Sequence, residues 1–210
     1  MALGIIGKKI GMTQMFSADG EVVPVTVVQA GPCTVVHKKT LEKDGYCALQ
    51  LGFGTKKLQK CTRPMQGHFK KAGEGANEFL REFRVEDGSN YDVGQTVTVD
   101  IFAQGEEVEV IGTSKGKGYA GSIKRHGFNR GPMGHGSKHH RAVGSSGHSA
   151  WPSKVFKGKR MPGQLGNERV TVKGLMVVDT RPEDNLLLIR GAVPGYKNSL
   201  VLICKTGAQA

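Results

Sequence analysis

The 210-residue chain lacks the features that mark membrane, secreted and zinc-binding proteins. No apolar run approaches the roughly 20 residues that a membrane-spanning helix needs. The four cysteines, Cys33, Cys47, Cys61 and Cys204, include no Cys-x-x-Cys pair, although zinc ligands usually come in such pairs. A secreted disulfide scaffold would be shorter and richer in cysteine. We therefore expect four reduced thiols in a cytoplasmic protein, with no bound metal and no cofactor.

Acidic residues are missing from one long segment of the chain. Residues 112–167 contain eleven Lys and Arg and no Asp or Glu. The wider window 112–173 contains thirteen basic residues against the single acid Glu168, while the rest of the chain has seventeen of each sign. The formal net charge of +12 therefore lies in these 62 residues, together with 13 of the 31 glycines and five of the seven histidines. The pattern predicts a neutral globule with a basic segment inserted in it.

The neutral flanks are rich in short runs of strand-forming residues. These runs are separated by turn residues, and several alternate between apolar and polar side chains, as half-buried strands do. We predict strands at residues 22–28, 33–37, 46–53, 79–85, 97–102, 108–111, 170–172, 175–178, 186–189 and 200–203, and one short helix at 67–71. Many short strands and no long amphipathic helix favour a mostly β fold, a sandwich or a barrel. We predict a mostly antiparallel β-barrel that takes strands from both sides of the basic segment.

The predicted domain boundaries follow the change in charge. Residues 1–112 and 168–210 would form the barrel, with a small helical or loop insert near residues 60–80, and residues 113–167 would form an extended loop. More than fifty residues without a core of their own are unusual inside a compact domain. We expect this loop to be mobile in isolation and to become ordered on a partner that supplies contacts and counter-charge.

The composition of the loop indicates binding to RNA. Glycines allow the backbone to approach phosphates closely, Lys and Arg neutralise phosphates, and Arg also stacks on bases. The aromatic residues Phe128, Trp151 and Phe156 stand singly and offer further stacking surface. An anionic membrane surface is the alternative polyanion, but the loop lacks the apolar face of an interfacial helix.

The candidate RNA contacts are basic, histidine and aromatic side chains. They are Lys115, Lys117, Lys124, Arg125, Arg130, His135, Lys138, His139, His140, Arg141, His148, Trp151, Lys154, Lys157, Lys159, Arg160 and Arg169, with Phe128 as a further stacking residue. Lys56, Lys57 and Arg63 are additional candidates on the barrel.

Two motifs in the loop suggest catalysis or cofactor binding only at first sight. Residues 116–121 (GKGYAG) match the dinucleotide-binding pattern G-x-G-x-x-G, but the sequence after them runs into Gly127, Gly131 and Pro132 and is not expected to form the required helix. The cluster His135, His139 and His140 has no nearby carboxylate or cysteine to complete a metal or acid–base site. We therefore predict no catalytic residue, and a nuclease that borrows carboxylates from the barrel remains the enzymatic alternative.

Five segments of the chain, in order, resemble the bacterial ribosomal protein L3 family, and the resemblance extends over nearly the whole chain. The segments are residues 4–13 (GIIGKKIGMT), 67–73 (GHFKKAG), 112–121 (GTSKGKGYAG), 154–161 (KVFKGKRM) with 163–171 (GQLGNERVT), and 191–195 (GAVPG). The resemblance implies a closed six-stranded β-barrel of the translation-protein type with a long basic extension. Some family members carry a methylated glutamine at the tip of the extension, but the aligned residue here is Ala150, so this modification is not expected.

The same resemblance implies a function without catalysis, small-molecule substrate or membrane. The protein would be a structural constituent of the large ribosomal subunit in the cytoplasm. It would bind large-subunit (23S) rRNA directly, near its 3′ end, and act early in subunit assembly. Its extension would reach toward the peptidyl transferase centre, and its protein neighbours would be the ribosomal proteins L-fourteen and L-nineteen.

Overall fold

The computed structural model describes residues 4–17, 19–73, 75–86, 88 and 90–206. Its strands are β1 Gly4–Phe16, β2 Val22–Ala30, β3 Cys33–Lys39, β4 Ala48–Lys56, β5 Ala76–Arg84, β6 Thr96–Val97, β7 Glu107–Thr113, β8 Tyr119–Ala120, β9 Gly163–Gln164, β10 Arg169–Arg181, β11 Leu186–Arg190 and β12 Leu200–Lys205. Its helices are α1 Leu41–Asp44, α2 Arg63–Lys71 and α3 Ser122–His126, with 3-10 turns at Leu58–Lys60 and Val99–Ile101. By their internal contacts the residues form two compact units, which we call the barrel unit (1–113 and 169–210) and the extension (114–168).

Six strands of the barrel unit close into a barrel in the order β1, β12, β7, β10, β11 and β2. Every pairing around the barrel is antiparallel, including that of β1 with β12, where Ile5 lies opposite Ile203. The prediction of a closed six-stranded antiparallel barrel is therefore confirmed. Because the first and last strands are neighbours, the barrel closes only when both ends of the chain are in place.

The barrel core consists of β-branched and leucine side chains that are fully removed from solvent. Ile5, Val110, Leu187, Ile189 and Ile203 all have no exposed surface. Burying one such side chain contributes about 1.5–3 kcal/mol relative to leaving it exposed. These residues come from strands on both sides of the extension, so the barrel unit has one continuous core.

A second sheet, in the order β5, β4, β3 and β6, packs against the outside of the barrel. Successive residues of a strand point to opposite faces, and both Ile5 and Ile6 of β1 are completely buried, so β1 is covered on both sides. Gly4 permits this close packing, because a Cβ atom at that position would lie 2.5 Å from Cε1 of Phe83 on β5. Helix α2 lies on the second sheet and buries Phe69 in a small separate cluster with Val36.

Three predicted elements differ from the structure. Residues 97–102 do not form one strand, because β6 ends at Val97 and a 3-10 turn follows; Oγ1 of Thr98 donates to Asp100 and holds this turn locally. The helix predicted at 67–71 begins one turn earlier, and Pro64, which lacks a backbone N–H, is well suited to its first turn. The two strands predicted at 170–172 and 175–178 belong to the single long strand β10, which carries a bulge between Val172 and Leu175.

The four cysteines are free thiols, and burial favours the protonated form of two of them. Burial raises the pKa of the Cys33 thiol to about 12 and that of the Cys204 thiol to about 11. The thiolate is the reactive form. At pH 8 we expect both thiols to react with a maleimide roughly a hundredfold or more slowly than an ordinary thiol of pKa about 8.5. Peptide mapping of the native chain checks this, with the denatured chain as control, and fast native labelling of Cys33 would contradict the fold.

Candidate nucleic-acid interface

The extension begins and ends in a two-stranded stem, residues 114–120 and 163–168. The backbone N–H of Ser114 donates to the carbonyl of Glu168 at 2.9 Å, and that of Lys117 donates to Leu165 at 2.8 Å. Strands β8 and β9 continue the stem in antiparallel pairing up to Ala120 and its partner Gly163. The predicted contacts Lys115 and Lys117 lie in this stem, with both side chains exposed.

Helix α3 follows the stem and is held against the returning chain. Nη1 of Arg125 donates to the carbonyl of Met161 at 2.8 Å, and Nε2 of His126 lies 3.0 Å from the same oxygen. A helix does follow residue 121, but α3 has only five residues, ends at His126 and is capped by Gly127 with φ +71°. Arg125 therefore has a positioning role within the extension, whereas Lys124 on the same helix is exposed.

The next part of the extension is irregular and is organised by backbone contacts. The N–H of Gly131 donates to the carbonyl of His140 at 3.0 Å, and Nδ1 of His140 lies 2.8 Å from the carbonyl of Pro132. His140 is half-buried as a result, so it links two parts of the loop. The other predicted contacts in this part all have exposed side chains: Arg130, His135, Lys138, His139 and Arg141.

The remaining predicted contacts lie further along the extension, with one on the barrel. Trp151 is 83% exposed, which leaves nearly the whole indole available to a partner. Arg169, the first residue of β10, belongs to the barrel unit and lies opposite Thr113. The others, all exposed, are His148, Lys154, Lys157, Lys159 and Arg160.

The positive charge of the extension has no counter-charge within the described chain. The extension contains eleven Lys and Arg and one acid, Glu168, for a net charge of +10. Across the residues that the structure describes, no basic side chain of the extension lies within 4.0 Å of a carboxylate, and the ion pairs found join barrel-unit residues such as Lys205 and Glu106. Such a surface attracts a polyanion and is unfavourable without one.

Several exposed apolar side chains of the extension escaped the sequence-based selection of contacts. Tyr119 is 78% exposed in the stem, Met133 is 58% exposed, and Phe156, noted only as an isolated aromatic, is 56% exposed. Tyr119 points outward because its strand neighbour Ala120 is buried, and that burial is visible only in the structure. Aromatic faces next to cations suit base stacking in RNA.

The described residues contain no group of three or more His, Cys, Asp and Glu side chains arranged to hold a metal ion. The histidines of the extension therefore do not gather into such a group there. Of the helices that the described residues form, none is long and apolar enough to cross a membrane.

Comparison with known proteins gives a consistent result along the whole chain. A family model described as ribosomal protein L3 matches residues 84–182. The large ribosomal subunit protein uL3 of Syntrophotalea carbinolica is 59% identical over 207 residues, covering 98% of this chain and 99% of the relative. The proteins of the same name from Pelotomaculum thermopropionicum and Syntrophobacter fumaroxidans are 58% identical over 210 residues and 55% identical over 206 residues, covering 100% and 98% of this chain and 99% and 98% of the relatives.

The stem predicts a sharp difference between two glycine substitutions. Gly166 has φ +70°, and a Cβ atom there would lie 2.1 Å from the carbonyl oxygen of Lys115, whereas a Cβ at Gly116 would meet its nearest atom, Cβ of Asn167, at an ordinary 3.5 Å. We expect Gly166→Ala to open the stem and accelerate amide hydrogen exchange at Lys117 and Leu165, with barrel amides unchanged. Gly116→Ala is the matched control, and equal exchange in the two variants would contradict the stem geometry.

Proposed function

The chain belongs to the ribosomal protein L3 family, and from this premise we propose that it is a structural constituent of the large ribosomal subunit that binds large-subunit rRNA through its extension. Its relatives are named as large ribosomal subunit proteins and align with it from end to end. Its role is structural, not enzymatic, and it is exerted in the cytoplasmic ribosome. Family membership decides against the nuclease and membrane-surface alternatives.

The observation that carries the proposal is the unpaired charge of the extension. Eleven cations on 55 residues face solvent or the chain itself, with no carboxylate within 4.0 Å in the described structure. Phosphates of folded RNA supply that counter-charge, and each contact releases condensed counterions, which favours binding. Folded RNA suits this surface better than regular duplex DNA, because irregular RNA exposes bases, phosphates and 2′-hydroxyls to a threading chain.

We propose three roles for the predicted contacts. Arg125 and His140 position the chain through their bonds to Met161 and Pro132. The exposed histidines and Trp151 are suited to bases and sugars. The exposed cations are suited to phosphates, and these are Lys115, Lys117, Lys124, Arg130, Lys138, Arg141, Lys154, Lys157, Lys159, Arg160 and Arg169.

The finer parts of the proposal follow from the family resemblance and from the construction of the extension. We place residues 113–167 within the rRNA, reaching toward the peptidyl transferase centre, and the binding region near the 3′ end of that RNA. A segment enclosed by RNA helices has to enter before those helices pack together, which fits an early role in assembly. The ribosomal proteins L-fourteen and L-nineteen are the proposed protein neighbours of the barrel.

A deletion tests the proposal, because the stem provides a place to close the chain. Replacing residues 121–162 by Asn-Gly would join the paired residues Ala120 and Gly163 through a two-residue hairpin turn. We expect weaker binding to an rRNA transcript and a shallower plot of log affinity against log salt, by roughly 0.7–0.9 for each phosphate that the variant no longer neutralises. Filter binding across a salt series measures this, and thermal unfolding verifies that the variant still folds.

A charge-matched pair of variants removes the ambiguity of a large deletion. Lys154→Gln, Lys157→Gln and Lys159→Gln together neutralise three exposed cations of the extension, and the control neutralises Lys8, Lys43 and Lys197, which are exposed in the barrel unit. The first triple variant should bind rRNA more weakly than the second. Equal affinities would show that net charge alone governs binding and would contradict the role of the extension.

A further inference from the structure

A second stretch of the chain is also free of acidic residues, and it lies in the barrel unit. Residues 45–73 contain six Lys and Arg and no Asp or Glu. The rest of the barrel unit contains thirteen basic and seventeen acidic residues. The near-neutral total of the barrel unit therefore hides a positive part of +6 and a remainder of −4. Such a separation within one unit is unexpected for a uniformly solvated surface.

The structure gathers these six cations around α2 and the 3-10 turn that precedes it. Nε2 of Gln66 donates to the carbonyls of Leu58 and Cys61 at 2.9 and 3.0 Å and fixes the turn to the helix. Lys56 and Lys60 line one open groove of about 350 Å³ together with Met65 of α2 and Glu78 of β5, whereas Arg63 and Lys70 lie outside its lining. We call the six residues the α2 patch: Lys56, Lys57, Lys60, Arg63, Lys70 and Lys71.

No side chain of the α2 patch has a counter-charge in the structure. All six are exposed, and in the described part of the chain none lies within 4.0 Å of a carboxylate. Cations in the last turn of a helix interact favourably with the helix dipole, and this accounts for the positions of Lys70 and Lys71. That explanation does not extend to Lys56, Lys57, Lys60 and Arg63, which lie before or at the start of the helix.

Helix α2 presents a defined face outward. Phe69 is 2% exposed and packs with Val36, which fixes the inner face. Positions separated by four and seven residues share a face, so Arg63, Gly67 and Lys70 line up on a side of the helix well away from Phe69. At 1.5 Å per residue, Arg63 and Lys70 are about 10 Å apart along the axis, with Gly67 between them.

Gly67, on the same face of α2, is a glycine that the helix itself does not favour. Glycine inside a helix is destabilising relative to alanine, and it is used where a ligand or another backbone must come close. Nothing in the described part of the chain requires it here, because a Cβ atom at Gly67 would have no described atom within 4 Å and its φ is not in the left-handed region. The gap between Arg63 and Lys70 therefore matches a partner that is outside this chain.

We propose that the α2 patch is a second rRNA-binding surface, at which a sugar–phosphate backbone lies against Gly67 and its phosphates contact Arg63 and Lys70. This inference rests on the proposed function and adds a surface to it. The absence of acids over 29 residues and the unpaired cations select a polyanion. The helix face at Gly67 has no side chain and lies between the cations Arg63 and Lys70, so it favours a partner whose backbone is itself charged. An acidic polypeptide is the competing partner.

The first test uses Gly67→Ala in the full chain, because stability and binding should then move in opposite directions. Alanine is the better helix former, so the melting temperature should rise. The added methyl should obstruct the RNA backbone, so affinity for a large-subunit rRNA transcript should fall several-fold. A higher melting temperature with unchanged affinity would overturn the proposal, because the added methyl would then be present on a folded helix without obstructing the RNA.

The second test neutralises charge at the same face. Arg63→Gln with Lys70→Gln should lower rRNA affinity at least tenfold and reduce the salt slope by roughly 1.4–1.8, whereas the matched control Lys43→Gln with Lys197→Gln should change both much less. If the unaltered chain binds no rRNA, the proposed function fails and this inference with it. If the unaltered chain binds and the two double variants bind equally, only this inference fails. Abolished binding to polyglutamate with unchanged rRNA affinity would assign the patch to acidic protein and overturn it.

Discussion

Repulsion between like charges is the constraint on which the rest of this molecule depends. The extension carries a net charge of +10 on 55 residues and has no ion pair in the described structure, so its own interactions do not offset that repulsion. Its contacts are mainly backbone bonds, such as those of the stem, and a few side-chain bonds to carbonyls. We propose that RNA phosphates supply the missing negative charge and complete the conformation that these contacts outline.

The barrel has the hydrophobic core and the paired strands that hold the two ends of the extension in place. Its core draws on strands from both ends of the chain, and β7 and β10, the strands that carry the extension, are paired neighbours within it. Thr113 and Arg169 are therefore held opposite each other by a rigid sheet, and the extension can be long without loosening the fold. The same unit carries the α2 patch, the second surface that we propose for RNA.

Part of this organisation could be read from the sequence, and the remainder depends on where the chain goes in space. Alternating side chains revealed most barrel strands, and the lack of acids revealed the extension. Residues 97–102 were misassigned because a side-chain bond from Thr98 to Asp100 favours a 3-10 turn over an otherwise apolar strand pattern. The roles of Arg125 and His140 were hidden because their partners, Met161 and Pro132, are brought close only by folding. Lys56, Lys57 and Arg63 were named from the sequence, but their grouping with Lys60, Lys70 and Lys71 was missed because the acidic remainder of the barrel unit cancels the charge of this stretch.

We propose that the extension obtains its counter-charge from rRNA. Amide hydrogen exchange of the full chain, free and bound to a large-subunit rRNA transcript, at low and at high salt, tests it most directly. We expect binding to protect residues 121–162 far more than the barrel core strands, and high salt to remove this protection as the complex dissociates. Protection confined to the barrel unit, with the extension exchanging equally fast in both states, would contradict it.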